Sequence, residues 1–435
     1  MKIAPSRQHL GRAFGSLRAP SFRWWFLSQV LSASGTMTQG VAQAWLVLKL
    51  TGSGLDLGLL GACYMFPVLV GGPWAGALVD RIDRRRLLIA TQCLFILCAG
   101  VVAALTWTGA VRVWMLFTVA FVTGAVSAPD GAARQVYVLD LVGGDRLAGA
   151  ISLNEVVLNV SRVVGPAVGG VFLATLGIPA CYVANGVSYL PALLVLLTVH
   201  RRAAARRLAA SAGPPRRRPR ERGAVRSGLR YVWRTPLLRT AVLMAAASGM
   251  LFNLGVALPL LATRVFHLGG GGYGLMMAAF GAGGVVGALL AAVVRGRPDG
   301  REVRLLATLT GVAILGTAIA PGIGLAIAGL VVTGCLSIWF VARANTLVQL
   351  RSAPAMRGRV MGIWTMALPG ANLLTGPLTG EVGETLGARA AFGLAGVGLL
   401  LATLTGWRAL AEDGPSALTV THPGPARPAP EAGEP

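Results

Sequence analysis

Four charged side chains stand inside long apolar runs of this chain: Asp130, Arg134, Glu155 and Arg162. A charge in hydrocarbon is costly, so it is kept there by a partner or by a task. Asp130 and Arg134 are four residues apart, the spacing at which helical side chains pair. Glu155 and Arg162 are two turns apart on one face. A carboxylate in an apolar setting holds its proton nearer neutrality than one in water, and this suits it to carry protons. The four residues read as a buried ionic cluster, with Glu155 or Asp130 as the proton carrier. The alternative is a static set of salt bridges that holds two helices together.

Uncharged polar residues accompany them at helical spacing. One apolar run carries Gln29, Ser32, Thr36, Gln39 and Gln43 along one face. A second carries Thr123, Ser127, Asp130 and Arg134, a third Ser152, Glu155, Asn159 and Arg162, and a fourth Asn372, Thr375 and Thr379. Amide and hydroxyl groups can bind large neutral or weakly charged molecules, so Thr36, Gln39, Gln43, Asn159 and Asn372 are candidates to line a substrate cavity. Hydrogen bonding between helices is the alternative, at about 0.6 kcal/mol per contact. Arg343 is expected near the end of its run, reaching for the interface.

Other chemistries find no support. The histidines (His9, His200, His267, His422) are scattered, and the five cysteines form no CxxC pair. Neither supplies a nucleophile or metal cluster. The glycine run 269–272 lacks the order of a phosphate-binding loop. The chain is read as no enzyme, without cofactor or metal.

The elements that position these residues follow from composition. The chain has 435 residues, 54% hydrophobic and 13% charged, with a mean hydropathy of +0.67. That is too little charge to cover a soluble protein of this length. Apolar runs of about 20 residues recur, each long enough to cross a bilayer as a helix. The fold class is an all-α polytopic membrane protein with twelve transmembrane helices. They are placed near 24–48, 57–79, 87–107, 113–139, 150–174, 179–199, 238–263, 273–294, 305–320, 323–349, 360–383 and 388–410.

A formal charge of +23 raises the question of nucleic acid, but the cations sit at span ends, on every second connection. This is the pattern that fixes orientation in a membrane. Lys49, Arg112, Arg264 and Arg389 are the few on the opposite connections. Both termini are therefore expected in the cytoplasm, membrane lipid is the expected partner of the basic loops, and no nucleic acid is expected. The N-terminus shows no cleavable signal, so the first span is expected to direct insertion. The organisation reads as a cytoplasmic segment (1–23), a six-helix half (24–199), an Arg-rich linker near anionic lipid (200–237), a second six-helix half (238–410) and a disordered tail (411–435). The halves look like repeats. "GPAVGG" at 165 and "GPLTGE" at 376 align at an offset of 211. An offset of 216 places Gly58 on Gly274 and Arg81 on Arg297. Two similar halves around a central site is a transporter plan.

With these motifs in view, the chain resembles the major facilitator superfamily. "GALVDRIDRRR" (76–86) is similar to that family's signature between spans 2 and 3, with Gly76, Asp80, Arg81, Arg84 and Arg85 in the signature places and Asp83 where Gly is usual. "SRVVGPAVGG" (161–170) resembles the span-5 motif associated with antiporters, carried here by Gly165, Pro166, Gly169 and Gly170. "ARQVYVLDLV", "ANTLVQL" and "RGRVMG" are similar to enterobactin exporters and macrolide-efflux-type pumps. The resemblance implies a monomeric secondary transporter in the plasma membrane, exporting drug-, macrolide- or siderophore-like molecules in exchange for protons. An uptake symporter of the same fold and a non-transporting membrane sensor are the alternatives. It further implies a conformational gate in which Asp80 caps the start of span 11 near Arg359, with Arg134 joining the network.

Overall fold

A computed structural model describes residues 20–142, 147–198, 224–251, 254–294, 296–353 and 356–411. Most of the expected N-terminal segment, linker and tail lie outside the described residues. Among these residues the regular structure is helical: α1 (Pro20–Thr51), α2 (Gly54–Arg81), α3 (Arg84–Trp107), α4 (Val113–Val142), α5 (Leu147–Thr175), α6 (Ile178–Ser188), α7 (Leu190–Thr198), α8 (Ala224–Arg234), α9 (Pro236–Leu251), α10 (Leu254–Leu260), α11 (Gly270–Val293), α12 (Gly300–Ala318), α13 (Ile323–Arg351), α14 (Arg357–Thr385), α15 (Ala388–Thr405) and α16 (Trp407–Ala411). Without water to satisfy backbone groups, a spanning segment must close its own hydrogen bonds, and a helix does so.

Among the described residues seven helical segments are long and apolar enough to cross a membrane. The pair α9 and α10, bent by 41° and continued by a π-helical turn at Leu261–Val265, makes an eighth if it counts as one span. The other long helices are α1, α5, α12 and α14. Polar stripes lie on α1, α4, α5 and α14, and α12 opens with Arg301, Glu302 and Arg304. One element differs from expectation. Residues 200–237 are expected to be a linker without structure, yet α8 lies within them. Pro214, Pro215 and Pro219 all precede it, so its own eleven residues hold no proline to break a helix.

Two groups of helices pack separately. In the first, α1 lies on α5 and α6, α2 on α4, and α3 on α4 and α6. In the second, α11 lies on α13, α12 on α13 and α15, and α9 on α14 and α15. They meet mainly along two seams, α2 against α14 and α5 against α11. Lipid tails give helices no hydrophobic reason to associate, so close backbone contact through small residues does the work. A Cβ on Gly58 would stand 2.3 Å from the Gly376 carbonyl oxygen, and one on Gly274 would stand 2.0 Å from the Gly170 Cα. The 216 offset relates Gly58 to Gly274. The two seams are thus one device used twice.

The repeat extends to helix starts. Asp83 caps α3 by accepting from the Arg86 N–H at 2.9 Å, and Asp299 caps α12 by accepting from the Glu302 N–H at 2.7 Å. These caps also differ by 216. Asp83, the departure from the signature, is explained by this bond.

Alanine at Gly58 should lower the thermal unfolding midpoint in detergent, since overpacking costs about 1–3 kcal/mol. Alanine at Gly61, one turn along α2 and open to 4 Å, should leave it unchanged. Equal midpoints for the two variants would remove the seam from the account.

Candidate functional site

The first helix group holds a connected polar node. Pro129 sits inside α4, where it removes one backbone donor and loosens the helix beside Asp130. Asp130 is 5% exposed. Its Oδ1 accepts from Thr91 Oγ1 at 2.6 Å and Gln92 Nε2 at 3.0 Å, both on α3. Its Oδ2 accepts from Arg134 Nε at 2.5 Å, one turn along α4. Arg134 Nη1 then donates to Gln29 Oε1 on α1. The node ties α1, α3 and α4 together. Gln29 Nε2 and Gln92 Oε1 are buried at its two ends without a hydrogen-bond partner. An unsatisfied buried amide group costs about 1–3 kcal/mol, so these ends are places for water or a bound molecule.

Of the expected four-membered cluster, the described side chains are Asp130, Arg134 and Arg162. Asp130 and Arg134 pair as their spacing implies. Arg162 is an exposed residue of α5, not the buried one expected. The reason is angular. Gly165 and Gly169 face α1, and Ser161 is buried, so Arg162, the next residue along, is turned about 100° off that face. Of Glu155 and Asn159, as of Gly76 and Asp80, only the helical backbone is described.

Most of the α1 stripe is spent on neighbouring helices. Thr36 hydrogen-bonds Tyr189 at 2.8 Å, and Phe95 stacks on that ring at 5.3 Å. Asn185 donates to Gln39 at 2.5 Å, and Thr38 donates to the Gly165 carbonyl at 2.9 Å. These contacts are the interhelical alternative. Gln43 is half-buried, and Asn372 on α14 keeps a buried, unpartnered Oδ1. The antiporter-type motif is likewise in contact. Gly165 and Gly169 press on α1, Gly170 presses on Gly274 across the seam, and Pro166 is buried between them.

At the end bearing 81–86, called here the basic end, Arg84 pairs with Asp140 at 3.0 Å. Arg85 donates to the Leu196 and Leu197 carbonyls at 2.7 and 3.2 Å, closing the last turn of α7. Arg81 is exposed, and Arg359 is half-buried in the first turn of α14. In the second group Arg343 forms a bidentate pair with Glu302, both bonds at 2.6 Å, and is 6% exposed. Glu302 lies in the first turn of α12, so Arg343 is held toward the basic end by a partner on the neighbouring helix.

At the far end, Arg264 ties the two groups together. Its Nη2 donates to the Gly52 carbonyl at 2.6 Å and to both Glu384 oxygens at 2.9 and 3.0 Å. Its Nη1 donates to the Gly383 carbonyl at 3.2 Å, and Glu384 also accepts from the Gly54 N–H at the start of α2. Trp45 stacks on Tyr273 at 6.3 Å beside this latch. Burial acts to raise the Glu384 pKa, but the Gly54 N–H and the Arg264 guanidinium outweigh it and hold the carboxyl below its ordinary value. The helices α2 and α14 touch at Gly58 and Gly376, and a Cβ on Gly370 would come within 4.0 Å of Leu69. Glu384, Asp140, Thr91 and Gln92 were missed in the sequence. The Thr-Gln pair inside an otherwise apolar run was the available signal for the last two.

Helices of membrane-spanning length, two packed groups and paired glycine seams define a helical multi-span membrane protein of transporter architecture. The chain belongs to the transmembrane secretion effector family of major facilitator superfamily transporters, whose family model matches residues 12–422. It is 31% identical over 362 residues to the multidrug efflux pump Tap of Mycolicibacterium fortuitum, covering 81% of this chain and 86% of that protein. It is 27% identical over 410 residues to the enterobactin exporter EntS of Citrobacter koseri, covering 89% and 92%. A staphyloferrin A transporter of Staphylococcus aureus matches at 29% over 179 residues, 41% of this chain and 45% of that protein. Among solved structures, a bacterial homologue of the iron transporter ferroportin in an inward-facing state superposes with a TM-score of 0.65 at 16% identity, over 90% of this chain and 99% of that one.

A depressed carboxyl stabilises the closed far end fully above the ordinary carboxylate range, and that support is lost as pH falls through the lowered Glu384 value. Labelling of Thr379→Cys, a buried position near the seam, taken relative to a free thiol at the same pH, should therefore speed up several-fold in acid when the native cysteines are replaced. Adding Glu384→Gln should give the fast rate already at neutral pH and flatten the pH profile. A profile unchanged by Glu384→Gln would assign the latch no role.

Proposed function

We propose that the chain is a secondary transporter that exports small organic molecules across the plasma membrane in exchange for protons, by alternating access. In this reading twelve spans form two pseudo-symmetric halves. The basic end faces the cytoplasm with both termini, because cations stay on the side of synthesis. The far-end latch and seams then close the outer side. Tap and EntS, exporters by name, support the outward direction and a drug- or siderophore-like cargo.

The observation that carries the proton reading is Asp130. Among the described residues it is the one acid that is buried. As a carboxylate it holds Arg134, and Arg134 holds Gln29 on α1. A proton on Asp130 cancels the charge that positions the guanidinium. The bond to α1 weakens, and the brace between α1, α3 and α4 is released. Proton uptake is thereby converted into helix movement. Gln29 Nε2 and Gln92 Oε1 offer a donor and an acceptor beside this switch, where cargo or water is sensed. Glu155, on the helix that forms the second seam, is the other candidate carrier. Asp80, at the basic end of α2, is the residue that would cap the start of α14 near Arg359, with Arg134 joining the network.

Dye or drug uptake into inside-out vesicles, with and without an imposed pH gradient, tests this. Asp130→Asn should abolish gradient-driven transport at normal expression. Gradient-driven transport surviving in both Asp130→Asn and Glu155→Gln would overturn the proton assignment. Asp80→Asn should slow transport while leaving cargo affinity within about two-fold, since a latch acts on the balance between states and not on the cargo site.

A further inference from the structure

The helix α8 is not accounted for by transport. Its sequence, AVRSGLRYVWR, sorts by angle into three faces. Val232 is 2% exposed and packs into the core of the second group, with Tyr231 half-buried beside it. Leu229 and Trp233, one turn apart, are 45% and 52% exposed. Arg230 and Arg234, also one turn apart, are exposed on the adjoining face, and Arg226 continues their line in the sequence. An apolar stripe bordered by a cationic stripe is the build of a helix that lies in a bilayer surface, its apolar side among the acyl chains and its cations at the headgroups.

The location suits that use. The helix packs on α14 and α9, and Tyr231 Oη accepts from the Ala353 N–H at 3.2 Å. Ala353 belongs to the connection between α13 and α14, so α8 lies at the basic end. Residues 201–222, which lead into it, hold nine further arginines and Glu221 as their one acid. Such a segment favours an anionic surface over a zwitterionic one.

We infer that α8 is a docking surface for anionic phospholipid headgroups, and that it ties the start of α14, one side of the α2·α14 seam, to the charge of the bilayer. Each arginine at such a surface contributes a preference of roughly five-fold. The test uses the full chain in nanodiscs of phosphatidylcholine alone or with phosphatidylglycerol, reading backbone hydrogen exchange of 224–234. Both bilayer faces are accessible and no transport is measured, so the outcome is independent of orientation and of the proton mechanism. Exchange is expected to slow at least several-fold when phosphatidylglycerol is present, and high salt should reverse this. Arg230→Gln with Arg234→Gln should lose the slowing, while Arg230→Lys with Arg234→Lys should keep it. Exchange in α9 and α13 should be unchanged in all of them. Equal exchange in the two bilayers would mean that this face is covered by the protein itself, and would overturn the inference. So would slowing that persists in the glutamine variant.

Discussion

Two backbones cannot approach closely unless nothing stands between them, and this molecule depends on that at two places. Gly58 against Gly376 and Gly170 against Gly274 bring main chains into direct contact. The two helix groups have few other extensive contacts. In water such groups would be held by excluded apolar surface. In lipid that force is absent, and dispersion between closely fitted surfaces replaces it. Such contact is short-ranged and complete only when the two surfaces are fitted. The Arg264 bonds at the far end add direction to it, since a guanidinium held by two carbonyls and a carboxylate fits one arrangement.

The polar node obeys a different economy. Asp130 and Arg134 would be prohibitive singly in hydrocarbon and are tolerable as a pair with Thr91, Gln92 and Gln29 around them. The arrangement braces three helices while leaving two amide atoms unsatisfied. A network completed in every bond would only add rigidity. This one stops short at both ends, leaving a donor on Gln29 and an acceptor on Gln92 without a partner.

Much of the architecture was legible because hydrophobic length is a direct physical requirement of the bilayer. The repeat was legible for a related reason: the glycines at 58 and 274, and at 165 and 376, are demanded by backbone contact, so they survive in register where other side chains drift. The site was less legible. Helical spacing identified Asp130 with Arg134, but could not show that α1 would spend Thr36 and Gln39 on Tyr189 and Asn185. Angular position around a helix says which residues share a face, not what that face meets. Arg162 was misjudged for that reason, its neighbours on the helix being buried while it is not. Glu384 carries no periodic signal at all; it matters only because a turn 330 positions earlier in the chain presents a free N–H to it.

The two interhelical ion pairs near the basic end have a consequence for assembly. In the first group the cation is on the early helix and the acid on the later one: Arg84 on α3, Asp140 on α4. In the second group the order is reversed, with Glu302 on α12 and Arg343 on α13. Reversed polarity makes the pairs selective. Arg84 set against Arg343, or Asp140 against Glu302, would repel, so each helix is steered to its own neighbour.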